Sequence, residues 1–164
     1  MPFLVLSTIL ILLTCCVPAF GQQQPPRPIA VYVNTAQPLS FGAFYPGSAG
    51  GTVIIYPDGS RSSAGDVVLV NLGFAFAPAM FEVEGLAGTL VSILNGSDIT
   101  LTGSNGGSMN LHLGASAPTS PLVIPTSSPS RTTVTVGGTL TVGNTVSNPP
   151  GSYTGTFNLT FIEQ

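Results

Sequence analysis

From Tyr153 to Phe161 the chain alternates with a period of two. Tyr153, Phe157, Leu159 and Phe161 fall on one face, and Thr154, Thr156, Asn158 and Thr160 on the other. A β-strand sends successive side chains to opposite sides, whereas a helix gathers them every 3 to 4 residues. Beyond the first residues, no window carries an apolar stripe of helical period. Alternation with one polar face implies antiparallel sheets packed face to face. The expectation is therefore an all-β fold, an antiparallel β-sandwich.

The rest of the chain extends this pattern. Ile29, Val31 and Val33 alternate with Ala30, Tyr32 and Asn34, and Leu39, Phe41 and Ala43 repeat the alternation. Thr52 to Tyr56 is β-branched and aromatic, and Pro57-Asp58-Gly59 after it has the residues of a tight hairpin turn, with a return strand at Ser60 to Ser63. Short strands are expected at Val67 to Val70, Ala79 to Glu84, Leu90 to Leu94, Ile99 to Thr102 and Met109 to Leu113. Ser116 to Ser130, with four prolines, reads as a long surface loop in which Leu122-Val123-Ile124 docks. Val134 and Val136 oppose Thr133 and Thr135, and Gly137-Gly138 interrupts before Thr139 to Val142 resumes.

The N-terminus reads as an export signal. Phe3 to Val17 is uncharged and apolar or small, too short for a membrane span of about 20 residues. Pro18 ends it, and Ala19-Phe20-Gly21 supplies a small-residue cleavage site, although the first residues carry no Lys or Arg. Leu12-Leu13-Thr14-Cys15 resembles a lipoprotein signal loosely, with Thr14 where a smaller residue is usual. The expected division is a signal peptide over 1–21, a Pro-rich polar tail over 22–28 and one domain over 29–164. Both cysteines, Cys15 and Cys16, lie in the signal. The exported part then has no disulfide framework, thiol nucleophile or cysteine metal site. The expected location is the periplasm or the cell surface.

Charge narrows the partners. The chain has three Arg, no Lys and six Asp or Glu. Nucleic-acid binding needs clustered cations to displace phosphate counterions, and a basic membrane patch needs the same. Neither is expected, nor is a membrane span after signal cleavage. So few charges give little repulsion between copies, which suits self-association.

Candidate chemistry is sparse. His112 is the one histidine, and Asp58, Asp66 or Asp98 would have to orient it in a triad, with no nucleophile elbow in the sequence. It is read as an exposed residue opposite three apolar neighbours. Glu82 and Glu84 share a strand face and are read as a solvated pair that blunts edge association. Gly50-Gly51-Thr52 and Gly137-Gly138-Thr139 lack the lysine of a phosphate loop and are read as turns or bulges with positive φ. Tyr32, Tyr45 and Tyr56 are a candidate sugar platform, more simply read as packing residues. Asn95-Gly96-Ser97 and Asn158-Leu159-Thr160 match the glycosylation acceptor pattern, the second within a strand. No catalytic, metal or cofactor site is assigned.

Several segments resemble an uncharacterised family of bacterial secreted domains: Leu39-Ser40-Phe41-Gly42, Gly51-Thr52-Val53, Pro57-Asp58-Gly59-Ser60-Arg61, and Pro78-Ala79-Met80-Phe81 with Val83 and Gly85. Val136-Gly137-Gly138-Thr139-Leu140 and Gly151 to Phe157 complete the set. More distantly the chain resembles spore-coat-U-type and chaperone–usher pilin domains. That resemblance implies an immunoglobulin-like sandwich that polymerises by donating an N-terminal strand. The departure is the lack of the disulfide such pilins commonly carry. On this basis the chain is expected to be a non-enzymatic structural protein of the cell envelope. Ile29, Val31 and Val33 form the candidate donor strand, and self-association or an envelope protein is the expected partnership. The alternative is a monomeric module that binds cell-surface polysaccharide or a protein.

Overall fold

The computed structural model describes residues 28–164. The expected signal peptide and all but Pro28 of the Pro-rich tail lie outside these residues. Among the described residues thirteen strands follow one another: β1 (Ala30–Val33), β2 (Ser40–Phe41), β3 (Ala43–Ile55), β4 (Arg61–Val70), β5 (Phe76–Ala77), β6 (Ala79–Glu84) and β7 (Leu90–Asn95), then β8 (Ile99–Gly103), β9 (Ser108–Ala117), β10 (Leu122–Val123), β11 (Thr132–Val142), β12 (Tyr153–Thr154) and β13 (Leu159–Glu163). All their pairings are antiparallel. The all-β antiparallel expectation holds.

Strand β11 is the axis. One edge pairs with β9 from Thr135 to Thr141. The other edge changes partner: Thr132 to Val136 pair with β6, and Gly138 to Val142 pair with β3. The large sheet therefore runs β1-β6-β11-β9-β8-β12, with β3 and β4 branching from β11. A three-stranded sheet, β10-β7-β13, and a two-stranded ribbon, β2-β5, complete the fold.

Two apolar clusters follow from the exchange. Where β11 meets β6, Phe81, Val83, Val134 and Val136 pack against Val91, Ile93, Leu122 and Ile124 of the small-sheet side. Where it meets β3, Val53, Ile55, Leu140 and Val142 pack with Leu101, Met109, Leu111 and Leu113. Leu39, Phe157 and Leu159 touch both clusters. Each fully buried Val, Leu or Ile contributes about 1.5–3 kcal/mol, so the even-numbered row of β11 is a large share of the stability.

Several boundaries differ from those expected. The return strand after Pro57-Asp58-Gly59 does not stop at Ser63; it joins Val67 to Val70 as one strand, β4. The turn forms as read: Gly59 has φ +86°, and Asp58 Oδ1 accepts from the Ser60 backbone N–H at 2.8 Å. The bond from the Ser60 hydroxyl, and then this backbone bond, hold the Asp58 carboxyl below its ordinary range. Ser116 to Ser130 is not wholly loop, because β9 runs to Ala117. Leu122 and Ile124 are buried as expected.

Gly137-Gly138 does not interrupt β11, and neither residue has positive φ. The bulge is on the facing strand. Between the pairs Val136–Ser116 and Gly138–Leu113, β9 has two residues, Gly114 and Ala115, against one on β11. Gly137 is needed for close approach instead: a Cβ there would lie 2.3 Å from the Ile55 carbonyl oxygen. Gly50 does have positive φ, +71°, at the irregularity of β3 between Pro46 and Gly51.

The terminal alternation also resolves differently. Tyr153 to Phe161 is not one strand: β12 pairs with β8 in the large sheet and β13 with β7 in the small one. The chain crosses between layers at Gly155 to Asn158, so Asn158 precedes the strand. Side-chain parity survives the crossing, and Tyr153, Phe157, Leu159 and Phe161 all pack on the core.

Gly137→Ala is expected to lower the unfolding free energy by about 2–3 kcal/mol, because the obstacle is backbone and cannot rotate away. Urea denaturation measures this; unchanged stability would contradict the assigned crowding between β3 and β11.

Candidate functional site

The two layers part along one side. Strand β1 ends the large sheet and β13 ends the small one. Between them runs a groove of about 760 Å³, lined by side chains that include Val31, Val33, Phe81, Phe157, Leu159 and Phe161. None of its lining residues is charged. Phe81 and Phe161 join the layers at its floor, with ring centroids 5.6 Å apart. At one end Ile29 N–H approaches Glu163 Oε2 at 3.4 Å.

Burial shows what the groove lacks. Val31 and Val33 are 38% and 64% exposed, while their cross-strand neighbours Val83 and Phe81 are 0% and 6% exposed. All four point to the inner face. The second layer covers β6 but stops short of β1.

The backbone hydrogen bonds share this geometry. Asn34 N–H donates to the Met80 carbonyl, which places Tyr32 and Asn34 in hydrogen-bonded pairs with β6. Val31 and Val33 then direct their N–H and C=O groups to the outer edge. On β13, Gly96 N–H donates to the Asn158 carbonyl and Gln164 N–H to the Leu90 carbonyl. By the same alternation Leu159 and Phe161 direct theirs away from β7. The residues that offer apolar side chains to the groove also offer unpaired backbone groups at its rims. Such an arrangement accepts an extended apolar segment.

The candidate donor residues Ile29, Val31 and Val33 lie here, as one wall of the groove. On the opposite face of β1, Tyr32 lies beneath Arg131, whose guanidinium carbon is 3.7 Å from the ring centre. Arg131 also pairs with Glu82 at 2.8 Å and with Glu84 at 3.7 Å, and Ser128 donates to Glu84. Glu82 and Glu84 are thus bound side chains holding β1 to β6 and not a freely solvated pair. They do not guard an edge, because β6 lies between β1 and β11. The hydrogen bond from Arg131 to Glu82 holds the guanidinium pKa above its ordinary value.

His112 lies on the outer face, opposite buried Met109, Leu111 and Leu113, as expected. Its Nδ1 is 2.7 Å from Asp98 Oδ1, and Asn110 donates to Asp98 Oδ2 at 3.3 Å. The contact with His112 is the main cause of an Asp98 carboxyl held below its ordinary range. Asp58 engages Ser60, and Asp66 engages Ser48 and Ala49 within β3. Among the described residues no three His, Cys, Asp or Glu side chains converge as a metal site would require, and no helix is long and apolar enough to cross a membrane.

The three tyrosines do not form a platform. Tyr32 is on β1, while Tyr45 lies near the start of β3 and Tyr56 just beyond its end. The Asn95 side-chain amide donates to the carbonyls of Leu113 and Gly114. One exposed feature carries no mark in the sequence reading: Leu72 and Phe74, in the link before β5, are 69% and 70% exposed. Their alternation with Phe76 was the available signal.

The chain belongs to the family described as "Domain of unknown function (DUF4402)", whose model matches residues 31–162. The expected membership of an uncharacterised family holds. No curated protein and no solved structure matches the chain.

Two outcomes follow. Arg131→Gln is expected to speed amide hydrogen exchange at Tyr32 and Asn34, whose N–H groups face β6, while leaving the C-terminal half of β11 unchanged; equal protection at those two amides would contradict the clamp. His112→Ala should return the Asp98 carboxyl towards its ordinary pKa in an NMR titration. A depressed carboxylate pKa stabilises the fold above the unfolded-state pKa, and that contribution is lost as pH falls through the folded-state value. The stability difference between wild type and His112→Ala should therefore shrink on acidification through that range; a difference that grows would contradict the pairing.

Proposed function

We propose that this protein is a non-enzymatic structural subunit of the cell envelope that self-associates by β-strand addition. The observation that carries the reading is the groove between β1 and β13, apolar inside and bordered by unpaired strand edges. Exposed edges are ordinarily blunted by lysine, proline or covering loops. Here the chain has no lysine, and neither β1 nor β13 contains proline. The sparse charge leaves little repulsion between copies. The apolar run Phe3 to Val17 supports export, and the distant resemblance to coat and pilin subunits supports assembly in the envelope.

In this reading the groove accepts a segment of a neighbouring copy, which completes the short layer and satisfies its free backbone groups. Ile29, Val31 and Val33 remain a donor candidate only if β1 leaves its seat on β6.

Light scattering on the full-length gene product, purified as the cell processes it, tests the proposal. Multimers that survive mild detergent and collapse on heating are expected. A monomer at every concentration would overturn it.

A further inference from the structure

We infer that the segment received by the groove is the apolar tip Leu72–Phe76 of a second copy. This inference rests on the self-association reading above and names its partner surface.

The tip is conspicuous among the exposed side chains. Leu72, Phe74 and Phe76 alternate along it and are 69%, 70% and 43% exposed. Gly73, with φ +82°, turns the chain at its apex, and Asn71 Oδ1 accepts from the Gly73 N–H at 3.4 Å. Only its base is fixed, by pairing of β5 with β2 and by a hydrogen bond from the Ser40 hydroxyl to the Ala75 carbonyl at 2.7 Å. Large apolar side chains held this far into water mark an interaction surface.

The groove matches it chemically. Asn71 to Ala77 contains no charged residue, and neither does the groove lining. Leu72 and Phe74, standing out from the bend at Gly73, suit a slot whose interior offers Val31, Val33, Phe157 and Phe161. At the base of the tip, Arg61 stacks over Phe76 at 4.3 Å and donates to the Phe41 and Ala43 carbonyls at 2.9 and 3.3 Å. Glu163 sits beside the mouth of the groove through its contact with Ile29. The ion pairs among the described residues join His112 to Asp98 and Arg131 to Glu82 and Glu84, so Arg61 and Glu163 are in none of them. The tip side carries the cation and the groove side the anion.

Two other occupants fit less well. Strand β1 of a neighbour is already engaged at home, clamped by Arg131 and forming the wall of the groove it would have to fill. An anionic lipid surface would need basic residues around the tip, and the chain has no lysine. Tip and groove are different patches of one chain, so their contact is heterologous and propagates into rings or open chains.

The test uses the full-length gene product with Leu72→Ser and Phe74→Ser, singly and together. Both side chains are exposed, so the fold should persist, which circular dichroism and thermal unfolding check. If wild type forms multimers, each substitution should raise the concentration for half-association at least about tenfold. Val33→Cys on one copy should also form a disulfide with Leu72→Cys on another under mild oxidation. Multimers that are unchanged in the double variant and yield no such disulfide would overturn the tip as occupant, while leaving self-association intact. A wild type that is monomeric throughout would instead overturn the self-association reading, and this inference with it.

Discussion

The large sheet is registered against β11. Val134, Val136, Leu140 and Val142 of that strand are at most 2% exposed. The strand holds β9 on one edge and passes from β6 to β3 on the other. Two cores can grow from one strand because Gly137 leaves room for the end of β3, and because β9 absorbs the mismatch with its extra residue. Pro57 of the β3–β4 turn sits beside this junction, with Thr135 Oγ1 donating to its carbonyl at 2.8 Å. A side chain at Gly137 would push the turn, β3 and β11 apart together.

The groove is a consequence of that arrangement. β11 takes one edge of β6, and β1 takes the other and ends the sheet. The covering layer comes from β7, β10 and β13, and it reaches β6 but not β1. The clamp of Arg131, Glu82, Glu84 and Tyr32 secures β1 from outside, which lets its inner face stay partly uncovered. A polar clamp on one face and an apolar slot on the other make β1 a wall that stands without a neighbour and has room for one.

Much of this was legible in the residues because period-two alternation depends only on local geometry. The strands at Ala30–Val33 and Ala79–Glu84, the turn at Pro57-Asp58-Gly59, the docking of Leu122 and Ile124, and the outward His112 all follow from parity or turn chemistry. What parity cannot encode is which sheet a strand joins. The crossing at Gly155 to Asn158 keeps the inward face of Phe157 and Leu159 while changing partners, so the pattern reads as one strand. Gly137 looks like an interruption because the crowding that requires it comes from Ile55, distant in sequence. The cross-strand clamp was hidden for the same reason: Arg131 reaches Tyr32, Glu82 and Glu84 through pairings that no local pattern announces. Leu72 and Phe74 went unmarked, since composition does not distinguish a side chain that is buried from one held out to solvent.

If copies dock through the groove, its free edges are where they meet, and amide hydrogen exchange at Leu159 and Phe161, followed by NMR from dilute to concentrated protein, reads this out. These N–H groups point away from β7 and should exchange rapidly in the monomer, then become protected as copies associate. If they remain rapid in an assembled state while other surfaces gain protection, the groove is not where copies meet.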